Sequence, residues 1–223
     1  MAFPVVASSA LSSRDSDAAD DVITMPSGIT AGDLLVIFHA TDVNAISRTW
    51  SGGFVELHDA VATAGMGVAY KIAVGGDSCT VTKGDTEKFS AIALRITGAH
   101  ATQAPELGTV ATGTSTGPNA GSVTASWGGE DNLFITWHSH VTGAADTTIT
   151  TWPASYTDNQ LEGTWLTTCG EPNLATRDLA AASDDAGAWL ISASRGWRAG
   201  TLVIRPGAAA AATPQRTLMG VGR

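Results

Sequence analysis

Two histidines separated by one residue are the pair of side chains in this sequence that most invites a chemical interpretation. His138 and His140 lie in Leu133–Val141, a stretch with the composition of a β-strand. Because side chains alternate along a strand, both imidazoles face the same side, as two metal ligands would. No third ligand follows at a fixed spacing, so we expect both to be polar residues on the solvent-facing side of a half-exposed strand, with a metal site as the alternative. His39 lies in a similar strand, where the best alignment places it nearest Trp137.

The acidic residues show no spacing typical of an acid–base pair. Most are scattered over predicted turns, and the densest group is Asp15–Asp21. An EF-hand would need Gly at the sixth position and Glu at the twelfth, where this segment has Asp20 and Pro26. We therefore expect a solvated loop before a strand at Val22, with a calcium ion held between loops as the alternative. No cysteine has a recognisable catalytic surrounding, so we predict no catalytic residue, no cofactor and no enzymatic activity.

Two of the seven tryptophans are candidates for exposure. Trp165 and Trp197 are flanked by glycine and by arginine, whereas Trp127 and Trp189 lie in or beside predicted strands and are expected in the core. An exposed tryptophan can stack on a sugar ring or anchor a protein interface. Carbohydrate binding through Trp165 or Trp197 is therefore an alternative function.

The elements that position these residues are predicted to be strands almost throughout. Leu34–Phe38 is an apolar run, and Ser90–Thr97 alternates with Ile92, Leu94 and Ile96 on one face. Strands arrive every 10–15 residues, separated by glycine-rich turns and by no convincing amphipathic helix. This spacing indicates a sandwich or a barrel.

The second half of the chain repeats the pattern of the first. Ala31–Phe38 resembles Gly129–Trp137, and Trp50–Phe54 resembles Trp152–Tyr156, each with an aromatic residue four positions after a tryptophan. We expect the two matching tryptophans to close the ends of the sandwich. Both halves run in the order strand, acidic turn, apolar strand, Trp loop, outer strand, hairpin and closing strand.

The repeat also decides one ambiguous segment. Ala175–Ser183 has a composition that favours a helix, but it occupies the position of Val68–Val74 in the first half. We therefore predict a strand there. The connector Thr97–Ser122 contains an alternating pattern around Val110 that could add another strand.

These observations predict an all-β protein. We expect residues 1–206 to form one jelly-roll-like antiparallel β-sandwich built from two pseudo-repeats, about 5–100 and 120–206. Two tandem sandwiches are the alternative. Residues 207–223 form an Ala-rich linker and an extended C-terminal arm, in which Arg216, Leu218, Met219 and Val221 are predicted to contact neighbouring subunits.

Composition excludes several classes of partner. The 223 residues include 12 Lys and Arg against 21 Asp and Glu, a formal charge of −9, which argues against nucleic-acid binding. The longest purely aliphatic or aromatic run, Leu34–Phe38, is far shorter than the roughly 20 residues of a membrane span. The N-terminus lacks the features of a signal peptide, so we expect synthesis in a cytoplasm. We expect Cys79 and Cys169 to be small buried thiols, with a disulfide between them as the alternative.

Several segments resemble one known group of proteins. They are Pro26–Val36, Trp50–Phe54, Leu94–His100, Gly113–Pro118 and Leu202–Pro206. Together they resemble a family of tailed-bacteriophage virion proteins, encoded among head and tail genes and mostly without an assigned role, over about residues 5–206. The resemblance implies a non-enzymatic capsid decoration or tail-associated subunit, assembled in the host cytoplasm. It also implies arrayed copies or a homo-oligomer, contacts with other virion proteins and no transferable site residues. On such a particle, the alternative function is that of a carbohydrate-binding adhesin.

Overall fold

The computed structural model describes residues 2–41, 47–60 and 64–208, and these residues form strands and no helix. The predicted arm residues Arg216, Leu218, Met219 and Val221 lie outside the described residues. The strands are β1 (Val5–Ile23), β2 (Leu34–Thr41), β3 (Arg48–Trp50), β4 (Val55–Ala60), β5 (Met66–Ile72), β6 (Cys79–Thr97), β7 (Glu106–Leu107), β8 (Ala111–Ser115), β9 (Val123–Thr124), β10 (Glu130–Val141), β11 (Ile149–Thr151), β12 (Asp158–Glu162), β13 (Gly170–Ala181), β14 (Ser183–Asp184), β15 (Leu190–Ile191) and β16 (Arg195–Ile204).

Each half of the chain forms one antiparallel six-stranded sheet. The first sheet has the order β1-β6-β2-β5-β4, with β3 paired to β6, and the second has the order β12-β13-β10-β16-β7, with β8 paired to β16. The sheets pack face to face, with β13 in contact with both β2 and β6. The predicted antiparallel β-sandwich is confirmed, while its jelly-roll character stays a prediction.

The two sheets have equivalent strands in equivalent places. In each sheet the closing strand (β6 or β16) lies beside the apolar strand (β2 or β10), followed by β5 or β13 and then by β4 or β12. The strand predicted from the repeat is therefore confirmed, because β13 occupies the place of β5. The connector also adds strands, since β7 and β8 both pair with β16.

The ladder registers match the two repeats residue by residue. Leu34 pairs with Ile96, and Leu133 pairs with Ile204 in the same way. Counting along β2 and β10 from these leucines makes His39 equivalent to His138. The alignment of His39 with Trp137 was therefore wrong by one residue, a shift that would turn each side chain to the opposite face of the sheet.

The central core lies between the sheets and contains side chains from both repeats. Val36, Phe38 and Leu94 come from the first sheet, and Ile135 and Trp137 from the second, all of them fully buried. One shared core of this kind agrees with a single sandwich.

Each sheet also carries a smaller apolar layer on its outer face. Trp50 is partly buried and packs against the outer layer of the first sheet, and Trp152 packs in the same way against that of the second. The prediction that these two tryptophans close the ends of the sandwich was therefore wrong. Loops fold back over both sheets and bury the outer faces, which is why β2 has no exposed residue.

The core is packed differently at equivalent places in the two repeats, because the second repeat has a tryptophan beside a glycine. Phe38 pairs with Ile92 in the first sheet, whereas at the equivalent place Trp137 pairs with Gly200. A Cβ atom on Gly200 would lie 2.7 Å from the Trp137 ring. Glycine is therefore required here by close approach of the indole.

Candidate functional site

A group of charged side chains, which we call the Asp21 cluster, is buried against the first sheet. Its members are Arg14, Asp21, His39, Arg48, Asp59 and Lys83. Asp21 has no exposed surface, and its Oδ2 accepts hydrogen bonds from His39 Nε2 and Lys83 Nζ, both at 2.8 Å. Its Oδ1 accepts from Arg14. The prediction of a solvated loop over Asp15–Asp21 was therefore wrong, because the segment belongs to β1 and ends in a buried ion pair.

His39 is held in one tautomer by this cluster. Arg48 Nε donates to His39 Nδ1 at 3.0 Å, so Nδ1 carries no proton and Nε2 donates to Asp21. Burial lowers the pKa of His39 to about 4, although the hydrogen bond to Asp21 opposes this shift. Both ring nitrogens are engaged in a neutral imidazole, so His39 has a structural role and is not placed to act as a base.

The equivalent outer face of the second sheet carries a different group, which we call the His138 cluster. Its members are Thr136, His138, His140, Glu171, Asn173, Trp189 and Thr201. All are buried, and within the described part of the chain each has a side-chain nitrogen or oxygen atom without a hydrogen-bond partner of ordinary geometry, although the Thr147 backbone still acts on His140 and the Asn173 side chain on Glu171. The expectation that His138 and His140 face solvent was therefore wrong, because Trp189 packs over His138 with ring centroids 4.5 Å apart.

The two repeats differ systematically at this face. Ladder positions filled by Ile37, Gly67 and Ala93 in the first sheet are filled by Thr136, Asn173 and Thr201 in the second. Most buried polar atoms in proteins are paired, and an unpaired one costs about 1–3 kcal/mol. Polar replacements at apolar positions of the repeat are the sequence signal that could have located this cluster.

Within the His138 cluster, the side chains of His140 and Glu171 lie close together. His140 Nε2 lies 4.0 Å from Glu171 Oε2, and His140 Nδ1 lies 3.3 Å from His138 Nε2. Burial raises the pKa of Glu171 to about 8, helped by the charges of Asp146 and Glu162. Burial lowers the pKa of His140 to about 4. At neutral pH this carboxyl group therefore holds a proton beside a neutral imidazole.

The metal interpretation of His138 and His140 gains no third ligand. Among residues 2–41, 47–60 and 64–208, no group of three or more His, Cys, Asp or Glu side chains is arranged to hold a metal ion. His138 Nε2 is instead directed at the neighbouring imidazole. Burial and the neighbouring His140 lower the pKa of His138 well below its usual value.

Gly113–Gly117 has the Gly-x-Ser-x-Gly spacing of a hydrolase nucleophile, a motif that the prediction of no catalytic residue missed. Ser115 ends β8, an outer strand of its sheet, whereas the hydrolase serine lies on a strand-to-helix turn. Its Oγ accepts hydrogen bonds from Trp197 Nε1 at 2.9 Å and from Gly117 N at 3.1 Å. These contacts give Ser115 a role in fixing the tryptophan.

Of the two tryptophans expected at the surface, Trp165 is exposed and Trp197 is buried. Trp197 is 7% exposed and packs over Gly113, where an added Cβ would lie 2.5 Å from the ring. The prediction of an exposed Trp197 was therefore wrong. Trp165 follows β12 and is 37% exposed. Trp189 is fully buried as expected, and Trp127 is partly buried, donating through Nε1 to Asn132 Oδ1 at 2.9 Å.

The outer edge of the first sheet is a long strand with apolar residues on its surface. β1 runs for 19 residues and, within the described part of the chain, pairs only with β6. Val5, Leu11 and Val22 are 55%, 50% and 72% exposed. The register with β6 shifts at three points, two of them at or beyond Arg14, so the stretch from Val5 to Ser13 is the part of this edge that offers a template for pairing with another chain.

A cavity of about 400 Å³, which we call the edge cavity, opens between the start of β1 and strands β12 and β13. Val5 and Val6 line its apolar side, and Asp158, Thr176 and Asp178 line its polar side. Nothing in the sequence analysis singled out these residues, because the aspartates are distant in sequence and lie opposite the start of β1 only after the sheets pack.

Comparison with known proteins found no match to a family model, to a curated protein or to a solved structure. Among the described residues, no helix is long and apolar enough to cross a membrane.

Proposed function

We propose that this protein is a non-enzymatic structural subunit of a larger particle. Following the sequence resemblance, the particle is a tailed-bacteriophage virion, and the chain is an exposed decoration or tail-associated subunit. The observation that carries the proposal is the outer edge of β1, which pairs with no further strand among the described residues and exposes Val5, Leu11 and Val22.

The chemistry of a sheet edge supports association with other copies. Backbone N–H and C=O groups along an edge strand add main-chain hydrogen bonds to an incoming strand, while alternate side chains give selectivity. Monomeric proteins commonly blunt such edges with lysine, proline or short strands. From Val5 to Ser13, β1 carries neither a charged residue nor a proline.

The interior of the protein is consistent with a passive role. Many buried ionisable groups are committed to internal contacts, as Asp21 is with Lys83 and His39. Cys79 and Cys169 are buried and not joined by a disulfide, which suits assembly in a reducing cytoplasm. The net charge of −9 suits a surface that faces away from nucleic acid.

Sedimentation velocity of the full chain over a range of concentrations tests the assembly. We expect concentration-dependent association that Leu11→Lys abolishes, because a lysine on an edge strand opposes pairing. Val74→Lys is the matched control, since Val74 is 72% exposed in a turn outside β1. A wild-type chain that stays monomeric at all concentrations would refute the proposal.

The assignment to a virion has its own test. Mass spectrometry of particles purified from a phage that encodes this chain should find it at a fixed copy number per particle. Its absence from complete particles would contradict the virion assignment while leaving self-association untouched.

Carbohydrate binding remains a second candidate because Trp165 presents an exposed indole. A glycan array probed with the wild type and with Trp165→Ala would detect it. Binding that Trp165→Ala removes would favour an adhesin. The absence of signal at millimolar glycan would exclude this function.

A further inference from the structure

We propose that the edge cavity is the receptor for the C-terminal segment Gln215–Arg223 of a neighbouring copy of this chain. The inference rests on the proposed function, since it names the contact through which subunits would be linked. It is carried by a difference between the repeats, by a pair of carboxylates that has no ion-pair partner among the described residues, and by the place where the chain leaves the sandwich.

The edge cavity exists because the second repeat departs from the first. Tyr70 and Ile72 pack against the central core in the first sheet, paired with Val36 and Leu34. The equivalent ladder positions on β13 are Thr176 and Asp178, paired with Ile135 and Leu133. Two large side chains are thus replaced by two smaller polar ones, and the space is left open at the edge of the sandwich.

The polar side of the edge cavity carries an acidic pair without a counterion. Asp158 and Asp178 both line the cavity, and among the described residues neither forms an ion pair with Lys, Arg or His. Burial and the charge of Asp158 raise the pKa of Asp178. A bound cation would relieve this repulsion, and a guanidinium can engage carboxylates through two hydrogen bonds at once.

The C-terminal segment has the complementary chemistry. Gln215–Arg223 contains Arg216 and Arg223, the apolar residues Leu218, Met219 and Val221, and no acidic residue. An arginine suits the acidic side of the edge cavity, and the apolar residues suit Val5 and Val6 on the other side. The same arrangement of charge and apolar surface would not suit an acidic peptide.

The chain leaves the sandwich beside the edge cavity. Gly207 N donates to Gly98 O at 2.7 Å, and Gly98 lies against Pro4, which also lines the cavity. Residues 208–215 can span up to about 25 Å when extended. An arm that starts at this edge is therefore long enough to enter the edge cavity of a copy that lies within about 25 Å.

Association of the full chain measured by sedimentation tests the contact. We expect the double variant Asp158→Asn, Asp178→Asn to weaken self-association by about tenfold or more, the loss expected for a charge-assisted pair. Arg216→Gln should produce a similar loss, and the combination should cost no more than either change alone. Asp85→Asn with Asp185→Asn, two exposed acids outside the cavity, is the matched control.

The outcomes separate this contact from the proposed function. Unchanged association in the cavity and Arg216 variants, together with loss in Leu11→Lys, would overturn the arm contact and leave assembly standing. A wild-type chain that never associates would refute assembly itself.

Cysteine pairing distinguishes a neighbouring arm from the chain's own arm. Asn159→Cys and Thr217→Cys are made in separate chains, mixed and oxidised, with Cys79 and Cys169 protected by burial. A disulfide between the two chains supports the exchange between copies. A disulfide that forms only inside a chain carrying both substitutions would overturn it.

Discussion

Replacing Glu171 by glutamine is expected to stabilise the protein at neutral pH. The pKa of Glu171 is raised from 4.5 to about 8 in the folded state. At pH 7 the carboxyl is therefore ionised in the unfolded chain but protonated in the folded one. The difference of about 2.5 units between pH 7 and the unfolded pKa, at 1.36 kcal/mol per unit, gives about 3 kcal/mol in favour of unfolding.

The size of this effect depends on pH. Between pH 4.5 and 8 the folded wild type holds a proton that the unfolded chain has released, so this group contributes less stability as the pH rises. Glutamine is neutral in both states and loses this dependence. We expect the wild type and Glu171→Gln to have similar free energies of unfolding at pH 4 and to differ by about 3 kcal/mol at pH 7.

Urea unfolding followed by tryptophan fluorescence at pH 4, 5.5, 7 and 8.5 measures this difference. Glu56→Gln is the control, because Glu56 is an exposed acid on β4 whose replacement should change the free energy of unfolding by less than about 0.5 kcal/mol. Destabilisation by Glu171→Gln at pH 7, or a difference that does not change with pH, would refute the assignment of a buried neutral carboxyl.

Further predictions concern the ion pairs, the core and the histidines. Asp21→Asn should lower the free energy of unfolding in urea by about 3–5 kcal/mol, because it leaves Lys83 buried without its carboxylate. The same change at the exposed neighbour Asp20 should lower it by less than about 1 kcal/mol. Equal effects would contradict the buried ion pair. Gly200→Ala should cost about 1–3 kcal/mol through collision with Trp137, and adding Trp137→Phe should recover part of the loss; additive costs would argue against that collision. The Glu171→Gln background removes the opposite pH dependence of Glu171. In this background the free energy of unfolding should fall by about 3 kcal/mol between pH 6.5 and pH 4 from His39 alone, because its pKa is about 4 in the folded state and 6.5 in the unfolded chain. A free energy of unfolding that does not change over this range would contradict the neutral buried imidazole.

The fold was predictable because hydrophobic alternation and the repeat operate locally. Leu34–Phe38 and Ser90–Thr97 read directly as strands, and the repeat correctly overruled the helix-favouring composition of Ala175–Ser183. Such patterns identify which residues face an apolar core, but they do not say whether it is the central core between the sheets or the outer layer on one of them.

The exposure of individual polar residues was not predictable in the same way. His138 and His140 were expected at a solvent-facing side because alternation separates the two faces of a strand without saying what covers them. Here the segment containing Trp189 covers the outer face, so both histidines are buried. Asp21 was misjudged for a related reason, since its partner Lys83 is distant in sequence.

The candidate sites depended most on tertiary structure. Asp158 meets Val5 only when the two sheets pack, and no local motif marks either residue. A comparison of the repeats position by position would have drawn attention to Asp178, because its equivalent in the first half is Ile72.

Each sheet is built from one continuous half of the chain, so the core between the sheets is formed as an interface between two subunits would be. The inner faces contributed by Phe38 and by Trp137 are no longer interchangeable, because one is packed beside an isoleucine and the other beside a glycine. Two copies of one half would therefore pack less well than one copy of each. The two halves are thus complementary to each other and not interchangeable, and their outer faces differ as well, with the Asp21 cluster on one sheet and the His138 cluster on the other.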